Sequence, residues 1–209
     1  MNKLYIAAAL VFGMAQASFA QGKGKVEFGL NIGVNTSSIS DSENQSDSGT
    51  GMNIGASADY YFSDSWSIKG KLIYDEKGWD NDYIDVEDGS GFITTYKTNV
   101  NVNYLTVPIM ANWHFAPKRN WYLSFGPYAG FLLNAKETRF DTDLKEAFNT
   151  NDFGLAFGIG VKIPVSNKLK ISLEYEGQGG FSDIFKDNSG DAIQNSRNSF
   201  NAGINFMMN

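Results

Sequence analysis

The sequence contains no cysteine, which excludes disulfides, a thiolate metal site and a lipid attached through an N-terminal cysteine. Histidine is nearly absent too: His114 stands alone, so a Ser-His-Asp type of site has one possible base. Only 4 prolines interrupt 209 residues. Beyond residue 20 no apolar run approaches the ~20 residues that a membrane helix needs. Basic charge is scarce, with 17 Lys and Arg against 23 Asp and Glu, and the net charge of −6 argues against a nucleic-acid partner. No motif in the chain asks for a cofactor, and none is expected.

What is present starts with a leader. Met1-Asn2-Lys3 precedes an apolar stretch over residues 4–15, and Gln16-Ala17-Ser18-Phe19-Ala20 places small residues where a signal peptidase reads them. The apolar stretch is too short to span a bilayer comfortably. The expectation is a signal peptide over residues 1–20, cut after Ala20, and one domain over residues 21–209. Lys3 is the only charge removed by that cut, so the mature chain is more acidic still.

The rest alternates. Val26, Phe28, Leu30, Ile32 and Val34 share one face, with Glu27, Gly29, Asn31, Gly33 and Asn35 on the other, and a period of two means strand. Met52, Ile54, Ala56, Ala58, Tyr60 and Phe62 repeat the pattern, Ser63-Asp64-Ser65 makes a tight turn, and Trp66, Ile68, Leu72 and Tyr74 carry a third strand. In the fourth, Val100, Val102 and Tyr104 hand over to Leu105, Val107, Ile109, Ala111, Trp113 and Phe115. This change of phase predicts a β-bulge near Tyr104-Leu105. Trp121, Leu123, Phe125, Ala129, Phe131 and Leu133 mark strand five, Phe153 to Ile163 at alternate positions strand six, Leu169, Ile171, Leu173 and Tyr175 strand seven, and Phe200, Ala202, Ile204, Phe206 and Met208 strand eight.

Short turns at residues 63–65, 116–120 and 164–168 alternate with long polar segments at 37–50, 78–96, 136–151 and 181–197. This layout predicts an all-β fold: an eight-stranded antiparallel transmembrane β-barrel of the outer membrane, with short periplasmic turns and four long extracellular loops. A soluble sandwich or lipocalin-like barrel also alternates. Phe62, Trp66, Phe115, Trp121 and Ile163, however, sit beside the short turns on the apolar face, where a membrane barrel carries an interfacial girdle, and the opposite face is polar. Outer-membrane lipid is therefore the first expected partner.

Tyr104-Leu105-Thr106-Val107-Pro108-Ile109 resembles the Tyr-Leu-x-hydrophobic-Pro segment of the PorT-like outer-membrane β-barrel family. Phe125-Gly126-Pro127-Tyr128-Ala129-Gly130, Asp152-Phe153-Gly154-Leu155 and Phe181-Ser182-Asp183-Ile184 agree with it in order and spacing. The resemblance implies fold and location. One member type assists a protein-secretion system, and no motif here transfers that role.

Alternation assigns Glu27, Asp59, Asp75, Glu174 and Glu176 to the interior together with Lys69, Lys71, Lys77, Lys162 and Lys170. Five charges of each sign suggest a paired network that plugs the lumen, whereas an ion-selective pore would more naturally show one sign. His114 lies at the short-turn end of strand four, and a structural or interfacial role is preferred over a hydrolase base. Asp80, Asp82, Asp85, Glu87 and Asp88 supply oxygen ligands enough for calcium, but their spacing departs from an EF-hand loop, and a solvated acidic loop is preferred. Tyr83, Ile84, Phe92, Ile93, Phe140, Leu144 and Phe148 could form a contact surface, pack the loops together or extend the hairpins. Lys118 and Arg119 occupy a short turn where a periplasmic partner or anionic lipid could touch them. The leading reading is a non-catalytic barrel working through surface loops or a protein partner. A narrow pore comes second and a hydrolase third.

Overall fold

A computed structural model describes residues 24–40 and 46–208, so the leader expected over residues 1–20 lies outside the described residues. Eight antiparallel strands, β1 (Val26–Ile39), β2 (Asp47–Tyr61), β3 (Trp66–Glu87), β4 (Ile93–Phe115), β5 (Trp121–Glu137), β6 (Asn151–Pro164), β7 (Leu169–Gly180) and β8 (Asn195–Met208), pair each with the next. β1 pairs with β8 from Val26↔Met208 to Ile39↔Asn195, which closes the sheet and leaves no edge in the barrel wall. No described helix is long and apolar enough to cross a membrane, which says nothing against crossing by strands.

Because side chains alternate across the wall, each strand has an apolar outer stripe and a polar inner one. Leu30, Ile32, Val34, Ile54, Ile109, Phe157, Leu173 and Phe200 are all exposed on the outside. That stripe stops abruptly toward the long-loop end. Along the outer face Val34 gives way to Thr36, Met52 to Thr50, Tyr74 to Glu76, Leu105 to Asn103, Phe153 to Asn151 and Phe200 to Asn198. At the other end Phe62, Trp66, Trp113 and Trp121 ring the short turns, with Trp113 and Phe115 stacked at 5.3 Å.

Two expectations about the strands change. β4 keeps one phase throughout: Val100, Val102 and Tyr104 are buried and face inward, as do Thr106, Met110 and Asn112. The apolar residues expected outside above Tyr104 are inside, because beyond the bilayer the interior is capped by apolar groups and no lipid demands an apolar exterior. The irregularity does fall at this level, between Asn103 and Tyr104 in the β4–β5 register, but Leu133 of β5 is the residue skipped, and Leu133 and Asn134 both face out. Residues 78–96 are largely not a loop. β3 and β4 continue as a hairpin from Asp82↔Thr98 to Glu87↔Ile93, past a shift between Trp79 and Asp82, and only residues 88–92 form the tip.

The inner face of β6 is rich in glycine for a steric reason. Tyr122 and Tyr128 of β5 pair in register with Gly160 and Gly154. A Cβ on Gly160 would lie 2.4 Å from the Tyr122 ring.

Candidate functional site

The interior forms a continuous polar column. At the short-turn end Glu27 takes ion pairs from Lys162 and, at 2.5 Å, from Lys170, while Lys162 also bonds Asp59 and the Tyr61 hydroxyl, each at 2.8 Å. Above it, Lys69 and Lys71 both reach Glu174, and Lys71 reaches Glu176 at 2.6 Å. The Tyr122 hydroxyl donates to Glu174 at 2.6 Å, and Lys69 Nζ lies 4.2 Å over the same ring. Higher again, Asp75 accepts from Asn35 at 2.9 Å and from Thr106 at 3.2 Å, and Lys77 pairs with Asp152 at 3.2 Å.

All ten charged residues assigned to the interior by alternation thus line one lumen, and each is ion-paired or hydrogen-bonded there. Two more belong with them. Arg197, about 1% exposed, joins Asp75 at 3.3 Å to Glu176 at 2.6 Å, and Asp152 is wholly buried against Lys77, Tyr128 and Asn195. Both were legible. With Phe200 and Ala202 outward, Ser199 and Arg197 must point in, and Gly154 sets Asp152 likewise. A polar cavity of about 20 Å³ remains beside Lys69 and Glu174, room for about one water molecule.

Over this column lies an apolar cap. Trp79, Val100, Val102, Tyr104, Leu132 and Ala135 from the strands pack against Phe148 and Ile184 from the third and fourth long connections, with Leu144, Phe185 and Ile193 around them. Phe148 and Phe185 are 4.7 Å apart and form an isolated antiparallel bridge. The Asn149 amide donates to the Ile184 carbonyl at 2.8 Å, and the Asn149 side chain donates to the Asp183 and Phe185 carbonyls. Glu137, also buried, holds the start of the third connection. Burial alone would raise its pKa, but the Thr98 hydroxyl and the Phe140 and Arg139 amides outweigh that and lower it.

The remaining candidates separate. His114 is buried inside, with Nε2 2.8 Å from Ser67 Oγ and its ring 4.9 Å from Tyr61. The five acids considered for calcium are not brought together. Asp82 accepts from the Trp79 indole at 2.6 Å, Asp85 accepts from Thr95 at 2.7 Å on the opposite face, Asp88 closes the hairpin tip, and Asp80 lies across from Asp47. Alternation along a strand, in place of a loop, is what spreads them. Among the described residues no cluster of three metal-ligating side chains occurs. In the short turns, Arg119 forms an exposed 3.2 Å pair with Asp64.

A closed eight-stranded ring, an apolar outer belt bounded by aromatic and polar residues and a charged interior define a small membrane-spanning β-barrel. The chain belongs to the family described as outer membrane protein beta-barrel domain, whose family model matches residues 14–186, and its place is the outer membrane. The finer PorT-like assignment is not part of that match. No curated protein matches the sequence. Among solved structures it is similar to the outer membrane protein OprG from Pseudomonas aeruginosa, at 11% identity and a TM-score of 0.51 over 91% of this chain and 99% of that one. It is also similar to the outer membrane protein AlkL in DMPC bilayers, at 9% identity and a TM-score of 0.51 over 92% and 93%. At such identities the likeness shows the fold.

Proposed function

We propose that the protein is a non-conducting, non-catalytic outer-membrane barrel that acts through its extracellular face, as a surface binding protein or as an accessory to envelope assembly or secretion. The observation that carries this reading is the double closure of the lumen, by cross-linked charges through its length and by an apolar cap above them. An eight-stranded barrel has an interior about wide enough for side chains alone. Here oppositely charged side chains occupy it, and moving an ion through would require breaking buried pairs such as Arg197–Glu176. With the axis filled, the exposed chemistry lies on the tall β3–β4 hairpin and the connections around it. The segments that resemble PorT-like barrels favour the accessory form of this reading, though they carry no residue tied to that role.

The ten lumen charges are structural in this account, and His114 with Ser67 is an interior polar pair. Purified full-length protein inserted in planar bilayers should give no stable single-channel steps. Reproducible steps would overturn the reading and support the narrow pore.

A further inference from the structure

The β3–β4 hairpin rises beyond the barrel with one edge that no described strand covers. β2 starts at Asp47 and its pairing with β3 ends at Asp47↔Asp80, so residues 82–87 have β4 on one side and no described strand on the other. The opposite edge is occupied: the Arg139 guanidinium donates to the Lys97 carbonyl at 3.2 Å and the Thr138 amide to the Asn99 carbonyl at 3.0 Å. Those contacts fix the phase of the ladder. A Lys97 carbonyl turned toward Arg139 makes Tyr83↔Lys97 a pair without mutual hydrogen bonds, and in an antiparallel ladder every second residue shares that orientation. Tyr83, Asp85 and Glu87 therefore direct their backbone N–H and C=O groups to the open edge. Among the described residues, only the Tyr83 amide is covered there, by the Asp82 carboxylate at 2.8 Å.

We propose that this edge accepts an extended basic peptide by strand addition, with basic side chains opposite Asp85 and Glu87 and apolar side chains opposite Ile84 and Val86. This rests on the reading that the extracellular face is the working surface. Main-chain pairing supplies affinity in such binding and alternate side chains supply specificity. Between residues 78 and 98 five acids, Asp80, Asp82, Asp85, Glu87 and Asp88, face one base, Lys97, so the edge attracts positive charge. The same charge disfavours a second copy of the chain, which would set Asp85 and Glu87 against like charges directly opposite. Ile84 is half-buried and Val86 exposed on one face, and Asp85 and Glu87 are exposed on the other, which gives the alternation of the partner.

The test uses full-length protein folded in detergent and a labelled Lys-Val-Lys-Ile-Lys-Val-Lys peptide, read by fluorescence anisotropy. Asp85→Pro removes an edge N–H and sets a ring on the edge while leaving the hydrogen bonds to β4 in place, and Asp85→Asn controls for its charge. The proposal expects saturable binding, weakened about tenfold or more by Asp85→Pro beyond the effect of Asp85→Asn, and weakened similarly by methylating alternate peptide amides. Absence of binding, or binding indifferent to Asp85→Pro and to amide methylation, would overturn it. If conductance is silent in either of those cases, the closed-barrel reading stands and the edge proposal alone falls.

Discussion

Arg197 holds the upper part of the lumen together, since one guanidinium bridges two carboxylates from different strands and also donates to Asn35 at 3.3 Å. Taking it away leaves buried Asp75 with no cationic partner among the described residues and Glu176 with Lys71 alone, and breaking a buried pair from one side costs about 3–5 kcal/mol. Arg197→Met should therefore lower stability against urea by about that amount, and adding Glu176→Gln should recover part of it. Equal stability of wild type and Arg197→Met would contradict the assigned role. Alternation extended one residue pair further would have placed Arg197 inside. Local contrast does not show it, because Ser196 and Asn198 on the outer face are as polar as Arg197 and Ser199 on the inner one, so only the phase carried down from Phe200 and Ala202 does.

The same loss of contrast explains the hairpin. Where a strand faces lipid, its outer side must be apolar and the pattern is plain, as in β1 and β6. Above the belt, β3 and β4 have solvent on the outer face, so acids and threonines populate it and the stretch reads as a loop although it pairs through Glu87↔Ile93. Val100, Val102 and Tyr104 show the opposite case, apolar residues that face inward to serve a cap. At the hairpin tip, Asp88 accepts hydrogen bonds from the Ser90 hydroxyl at 2.6 Å, the Ser90 amide at 2.9 Å and the Phe92 amide at 3.0 Å. Those bonds, the Ser90 side chain foremost, lower its pKa below the ordinary aspartate value of 3.8. A carboxyl lowered on folding stabilises the tip above its unfolded pKa, and that contribution is lost as pH falls through the folded value. Amide exchange at Ser90 and Phe92, corrected for the intrinsic pH dependence, should quicken on acidification through and below the ordinary aspartate range, and Asp88→Ala should remove that response.

At the scale of the molecule, eight strands, three tight turns and the lumen charges follow from composition and period two, because a bilayer outside and a narrow interior within leave few alternatives. The cap is legible only in part, through Leu144 and Phe148 as residues able to pack the loops together. It depends on Phe148 and Ile184, which come from two connections distant in sequence and meet above the barrel mouth through tertiary contacts that no local pattern encodes. In the proposed closed-barrel reading it is also what seals the charged lumen from the outside. The absence of cysteine makes that sealing directly measurable. Single cysteines at Thr106 and Ser124, both buried inside, and at exposed Thr95 would be treated in intact folded protein with a membrane-impermeant maleimide. The account predicts rapid modification at Thr95→Cys and protection at Thr106→Cys and Ser124→Cys until the barrel is unfolded; modification of the two interior positions at the rate of Thr95→Cys would contradict it.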